Sequence, residues 1–169
     1  MDVKSAIRSR KSIRKYERRR LPPEVLDELL EAIRLAPSSN NRQAWTMVVV
    51  QDRKLKERLA KASGNQRFVA ECAVYLVGVA DPSVYYSTVD MAIALDHLSL
   101  RAVELGVGTC WIGDFDPQAI SRILGIPKGR EPTICMTVGY PAENPRPKRR
   151  KAKSELFCAD RWNNPLKVR

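Results

Sequence analysis

The chain has 169 residues, 44% of them hydrophobic, and its thirty basic and nineteen acidic side chains leave a formal charge of +11. A length of this order suits one domain of about 100 to 200 residues that buries about 70% of its unfolded surface, which excludes global disorder. No apolar run approaches the ~18 to 20 residues of a membrane-spanning helix, and no apolar stretch follows the charged start, so neither a membrane span nor a secretory leader is expected. The four cysteines, Cys72, Cys110, Cys135 and Cys158, stand 38, 25 and 23 positions apart with no CxxC pair and a single histidine, which argues against zinc and thioredoxin-type chemistry. Scattered free thiols suit a reducing compartment, and a cytoplasmic protein is expected.

Prolines at 22 and 23, acids in the first turn and Leu26, Leu29, Leu30 and Ile33 on one face predict a helix that Pro37 stops. Trp45 to Val50 reads as a buried strand, Arg53 to Ala62 as an exposed charged helix, and Ala73 to Ala80 as a second buried strand. The longest helical signal lies between Ser83 and Gly106. Within residues 88–105 its only charges are Asp90, Asp96, Arg101 and Glu104, so it is apolar on most of its circumference and suits a large core or a subunit interface. Gly108 to Ile112 is strand-like, Pro117 to Leu124 a short helix ended by Gly125, and Thr133 to Tyr140 another buried strand. Three prolines between Tyr140 and Pro147 forbid helix there and mark an arm. The alternation of helices and strands indicates an α/β architecture, with the sheet covered on both faces.

The charge is segregated. Residues 1–20 and 145–169 each carry nine basic and two acidic side chains, +7 apiece, while residues 21–144 sum to −3. Two basic ends either bind nucleic acid or converge on one phosphate-bearing ligand. The basic segments hold only Tyr16, Phe157 and Trp162 as aromatics, a poor supply of base-stacking platforms that argues against nucleic acid. Gly106 and Gly108 do not complete a dinucleotide fingerprint, because the third position is Trp111 and the glycines follow a helix instead of opening one. His97, mid-helix beside Asp96, reads as a surface or structural residue, and no paired carboxylates stand out. Two segments do read as sites. Arg10, Ser12 and Arg14 alternate, so an extended backbone points all three one way as a cationic row. The run from Ala36 to Trp45 is richer in donors than a turn requires and suits a heterocycle or sugar hydroxyls.

Five blocks, Arg10–Tyr16, Leu35–Trp45, Gly106–Gly113, Leu124–Pro127 and Val138–Pro141, resemble the nitroreductase family in order and spacing over nearly the whole chain. The resemblance implies one nitroreductase-like domain over residues 1–169 with a basic arm at 145–169. It implies an α+β sandwich whose mainly antiparallel sheet is flanked by helices in an intertwined homodimer. It further implies FMN in clefts between subunits, NADH or NADPH as electron donor, and a nitroaromatic, quinone or similar small-molecule acceptor. On that resemblance Arg10, Lys11, Ser12 and Arg14 bind FMN, and Ser38, Ser39 and Asn41 reach it from the other subunit. Asn65 meets the ring, Gly113 offers a backbone contact near its reactive edge, and Lys148 and Arg150 hold the phosphate. No catalytic side chain and no metal are expected, since the flavin carries the chemistry. Departures are Ala44 where a proline is usual, Phe68 where a lysine is frequent, and a short Asp81–Ser87 stretch where larger members insert helices. The alternatives are a flavin-binding protein, a branch that fragments flavin or acts on halogenated or corrin-related substrates, and a basic nucleic-acid-binding module. Some fourteen excess positive charges at the ends exceed what one phosphate requires.

Overall fold

In the computed structural model, which describes residues 1–166, the seven residues of β2 (Val74–Ala80) are all buried, as befits a strand covered on both faces. β1 (Trp45–Val50) and β4 (Glu131–Gly139) flank it, β3 (Gly108–Ile112) pairs with β4, and the order β1-β2-β4-β3 is antiparallel throughout. Side chains of β2 alternate between two cores. Tyr75, Val77 and Val79 join Leu59, Val69, Ile120 and Cys135 on one face. Val74 and Leu76 join Leu29, Ile33, Leu95, Leu98 and Met136 on the other.

The helices sort accordingly. α2 (Pro23–Arg34) and α5 (Ser87–Glu104) cover the second face; α3 (Arg53–Ala62), α4 (Arg67–Glu71) and α6 (Pro117–Leu124) cover the first. α6 starts on an Asp116 side-chain cap with Pro117 at its first position and ends at Gly125 in the left-handed region, φ 68°. The alternation of elements suggested α/β, but the strand directions make the fold α+β. Between β1 and β2 the chain goes out along α3 and returns through α4, so Tyr75 emerges opposite Val50 and β2 runs back along β1. No helix among the described residues is long and apolar enough to cross a membrane.

α1 (Val3–Ser9), α4 and α7 (Lys153–Leu156) are short helices without a strong periodic signal. The second predicted strand starts one residue later than expected, and the last runs from Glu131 to Gly139 instead of Thr133 to Tyr140. α3 is a correction: read as exposed, it buries Leu59, Ala60 and Lys56. The Lys56 stem packs inward while its ammonium donates to the carbonyls of Cys72 and Ala73, an amphipathic burial that charge alone conceals. Burial also pushes the Lys56 pKa below its usual value. Cys72, Cys110 and Cys135 are buried free thiols and Cys158 is exposed; burial pushes Cys72 up to about 11 and Cys135 up to about 12. His97 is exposed on α5.

Candidate functional site

Beyond α1 the chain runs extended along the free edge of β3. Ser12 forms a parallel bridge with Thr109, and the Ile13 amide donates to the Thr109 carbonyl at 2.9 Å. Ile13 and Tyr16 are buried, and the Tyr16 hydroxyl donates to the Ile13 carbonyl at 2.8 Å and lies 2.8 Å from the Thr137 hydroxyl. The segment after β4 then closes over it. The Glu17 amide donates to Tyr140 O and the Ala142 amide to Lys15 O, both at 2.9 Å. The Arg14 amide donates to the Glu143 carboxylate at 2.5 Å, and Lys11 Nζ donates to Asn144 Oδ1 at 2.7 Å. These contacts join the N-terminal segment to the root of the C-terminal arm.

Arg10, Ser12 and Arg14 all lie in the neighbourhood of Cys110 on β3. Burial pushes the Cys110 thiol above its ordinary pKa, while Arg14, the Ser12 hydroxyl and Arg10 all pull it the other way. Arg10 Nη1 is buried with no hydrogen-bond partner among the described residues. A buried, unpaired guanidinium nitrogen is costly, and an anion is its natural complement. Lys11 points instead to Asn144 and ties the arm to the strand.

The loops that carry Asn65 and Gly113 are joined to each other. Gly64 takes φ 62° and Asn65 φ 56°; a methyl group on Gly64 would lie 2.5 Å from Asp114 Oδ2. Gln66 Nε2 donates to Asp114 O at 3.3 Å, and the Asp116 amide donates to Ala62 O at 2.8 Å, so the loop after α3 is fastened to the loop after β3. Lys148 and Arg150 are exposed on the arm and make no side-chain hydrogen bond or ion pair among the described residues. Lys148 is four residues beyond Asn144, within about 14 Å of chain reach of the row's rim.

Ser38, Ser39 and Asn41 lie elsewhere. Their loop feeds β1, at the sheet edge opposite β3, and three strand spacings separate those edges by roughly 14 Å. The loop is tightly built. Asn40, Asn41 and Gln43 have φ of 50°, 54° and 48°, a left-handed cluster costly for residues with a Cβ. Ser38 Oγ accepts the Gln43 amide at 3.1 Å, and Gln43 Nε2 donates to Asn41 Oδ1 at 3.1 Å. The Ser39 amide donates to both carboxylate oxygens of Asp90, at 3.0 and 3.1 Å. Asp90, only 4% exposed, stands in the first turn of α5, where the helix dipole favours its charge. Sequence reasoning missed it; the only signal was a lone acid at the start of an apolar helix.

Asp90→Asn should therefore loosen this loop. The charge-assisted bonds to Ser39 weaken, which costs about 1 to 2 kcal/mol of stability, and exchange of the Ser39 amide with solvent deuterium should accelerate about tenfold or more. Unaltered Ser39 exchange would show that the carboxylate does not hold the loop.

The sequence model of the nitroreductase family matches residues 7–71 and 64–140. A protein of Methanothermobacter thermautotrophicus, whose name pairs NADH dehydrogenase with NAD(P)H nitroreductase, is 32% identical over 169 residues, 95% of this chain and 85% of its own length. The FMN reductase [NAD(P)H] of Bacillus subtilis is 30% identical over 166 residues, 84% of this chain and 67% of its own. Among solved structures, nitroreductase A of Vibrio parahaemolyticus superposes with a TM-score of 0.91 at 26% identity, covering 98% of this chain and 79% of that one.

Proposed function

This chain belongs to the nitroreductase family, and on that premise we propose that it works as a cytoplasmic, homodimeric FMN-dependent oxidoreductase. It takes reducing equivalents from NADH or NADPH and passes them to a nitroaromatic, quinone or similar small acceptor. The observation that carries this reading is Arg10, whose buried, unpartnered Nη1 sits in a row with Ser12 and Arg14 at the junction of the two basic ends. These residues fit FMN: a dianionic phosphate would satisfy the orphan donor, and Lys148 and Arg150 would add charge from the arm.

FMN, when bound, supplies the redox chemistry by taking hydride from a dihydronicotinamide and handing electrons to the acceptor. This chain's residues bind and tune. Arg10, Ser12, Lys148 and Arg150 would hold the phosphate end. Asn65 and the Gly113 backbone, on loops fastened together by the Gln66–Asp114 and Asp116–Ala62 hydrogen bonds, would orient the ring. Arg14 would place fixed positive charge at the pyrimidine end, where negative charge gathers on reduction.

The dimer has its own support. Ser38, Ser39 and Asn41 feed the sheet edge opposite the one that the Arg10 segment lines, which supports a second copy as the source of these residues at the flavin. Tyr86 at the N-cap of α5, with Val89 and Ile93 on the helix, forms an exposed apolar stripe, and Leu156, Phe157 and Trp162 stand exposed on the arm, as surfaces awaiting a cover. The free exposed thiol of Cys158 suits a reducing cytoplasm.

The central test is cofactor content: purified protein should be yellow, sediment as a dimer and release FMN, not FAD, on denaturation. Colourless protein that binds no added FMN would refute the reading. A finer test separates two arginines. Arg14→Gln should lower the two-electron potential of bound flavin by about 30 mV, about 1.4 kcal/mol for a two-electron couple, with only modest loss of oxidised FMN. Arg150→Gln should weaken FMN in both redox states and leave the potential unchanged, because phosphate charge is constant through turnover. Equal potentials in wild type and Arg14→Gln, both fully loaded, would remove Arg14 from its assigned role.

A further inference from the structure

A groove of about 1440 Å³ opens between the segment from Arg18 to Leu21, α3 and α4, and reaches Asn65. Nine of its lining residues are basic and three acidic: Arg18, Arg19, Arg20, Arg53, Lys54, Lys56, Arg58, Lys61 and Arg67 against Asp52, Glu57 and Glu71. Each acid is already engaged: Asp52 caps α3, Glu57 pairs with Arg53 at 3.0 Å and Glu71 with Arg67 at 3.9 Å. The Arg19 guanidinium lies 4.1 Å from the centre of the Tyr140 ring. Arg18, Arg20, Lys54, Arg58 and Lys61 have no ion-pair partner among the described residues.

Two features show that this charge is arranged and not merely abundant. Lys54, Arg58 and Lys61 fall at i, i+4 and i+7, so α3 carries a stripe of like charges, a spacing that weakens a helix. The floor is charged too, since the buried Lys56 ammonium lies near Arg20 and Arg53 as well as the carbonyls it bonds. The lining has no aromatic side chain, so it offers phosphate recognition without a stacking platform for successive bases. Its Asn65 end is tied to the loop after Gly113 through the Gln66–Asp114 and Asp116–Ala62 hydrogen bonds, the corner assigned to the flavin ring.

We propose that this groove takes the 2′-phosphate-bearing half of the dinucleotide donor, with Arg20, Arg58 and Lys61 as the phosphate ligands, and so makes NADPH the preferred reductant over NADH. The inference rests on the FMN-oxidoreductase reading. A nicotinamide at the Asn65–Gly113 corner leaves the adenosine end to run along the groove, and the 2′-phosphate is the one group that NADH lacks. Paired arginine and lysine side chains discriminate such a group strongly because each contact is charge-assisted.

The experiment uses the FMN-loaded protein and the combined variant Arg20→Ser/Arg58→Ser/Lys61→Ser, with Arg122→Ser on α6, outside the groove, as control. Calorimetric titration with adenosine 2′,5′-bisphosphate and adenosine 5′-monophosphate reads the site without turnover. The bisphosphate should bind at least tenfold more tightly than the monophosphate and compete with NADPH. The triple variant should lose that preference and raise KM for NADPH at least tenfold, with KM for NADH unchanged and Arg122→Ser like wild type. Equal affinity for the two nucleotides, or a triple variant that keeps its NADPH preference, overturns the proposal. So does salt-steep binding of a short DNA duplex at physiological salt that the triple variant loses, since the groove would then serve nucleic acid. If the triple variant does not fold, the wild-type nucleotide comparison decides alone. Flavin absorbance of the same sample separates the two failures: protein without FMN refutes the oxidoreductase reading, whereas FMN-loaded protein indifferent to the 2′-phosphate refutes only this one.

Discussion

Arg10→Met should bind FMN at least 100-fold more weakly than wild type, while its flavin-free form unfolds at a higher temperature. Both effects come from the same atom. Arg10 Nη1 is buried without a partner among the described residues, so the flavin-free protein carries an uncompensated donor worth about 1 to 3 kcal/mol of instability. Methionine keeps much of the unbranched stem and removes the charge, relieving that penalty. With phosphate present the balance reverses, because two charge-assisted bonds at about 1.5 to 3 kcal/mol each vanish. Thermal unfolding of flavin-free protein and fluorescence titration with FMN check the two halves. A variant that loses stability and keeps FMN affinity would show Arg10 to be a packing residue.

Gly108→Ala should displace the strand that carries Arg10, Ser12 and Arg14. A Cβ there would lie 2.6 Å from Ile13 Cγ1, 3.0 Å from its Cβ and 3.2 Å from its Cγ2. Ile13 is buried between Ser12 and Arg14, so it moves only if the strand carrying the cationic row moves with it. Overpacking of this kind costs about 1 to 3 kcal/mol, a fall in Tm of about 3 to 10 °C at this size. FMN affinity should drop about tenfold or more as the row leaves its place. Gly113→Ala is the control, since a methyl there meets nothing within 4 Å, and its melting temperature should match wild type. Adding Ile13→Ala to Gly108→Ala should restore part of the stability, because the two changes share one contact. Full FMN affinity in Gly108→Ala would dissociate the row from its packing against β3.

The sequence by itself determined what depends on neighbours a few residues away. α2 and α6 announce themselves through prolines at their first turns, and α6 through the glycine at its end, because capping is a local transaction. β1 and β3 match their predicted spans to the residue, since short runs of β-branched and small residues between turn signals leave few other choices. The alternation of Arg10, Ser12 and Arg14 was equally legible, as one side of an extended strand follows from backbone geometry alone.

Only the tertiary structure decided the rest. Strand direction turned on α3 and α4 going out and back, and the family resemblance, not the element order, anticipated the antiparallel sheet. The buried ammonium of Lys56, the clamp of Asp90 on Ser39 and the groove beneath Arg18 and Arg20 unite residues 16, 51 and about 40 positions apart. The separation of the Ser38–Asn41 loop from the Arg10 row is likewise a property of sheet order. Such contacts stay hidden in the chain because a side chain's local surroundings set its backbone preferences but not its partner. The partner is chosen by which faces the whole fold buries together.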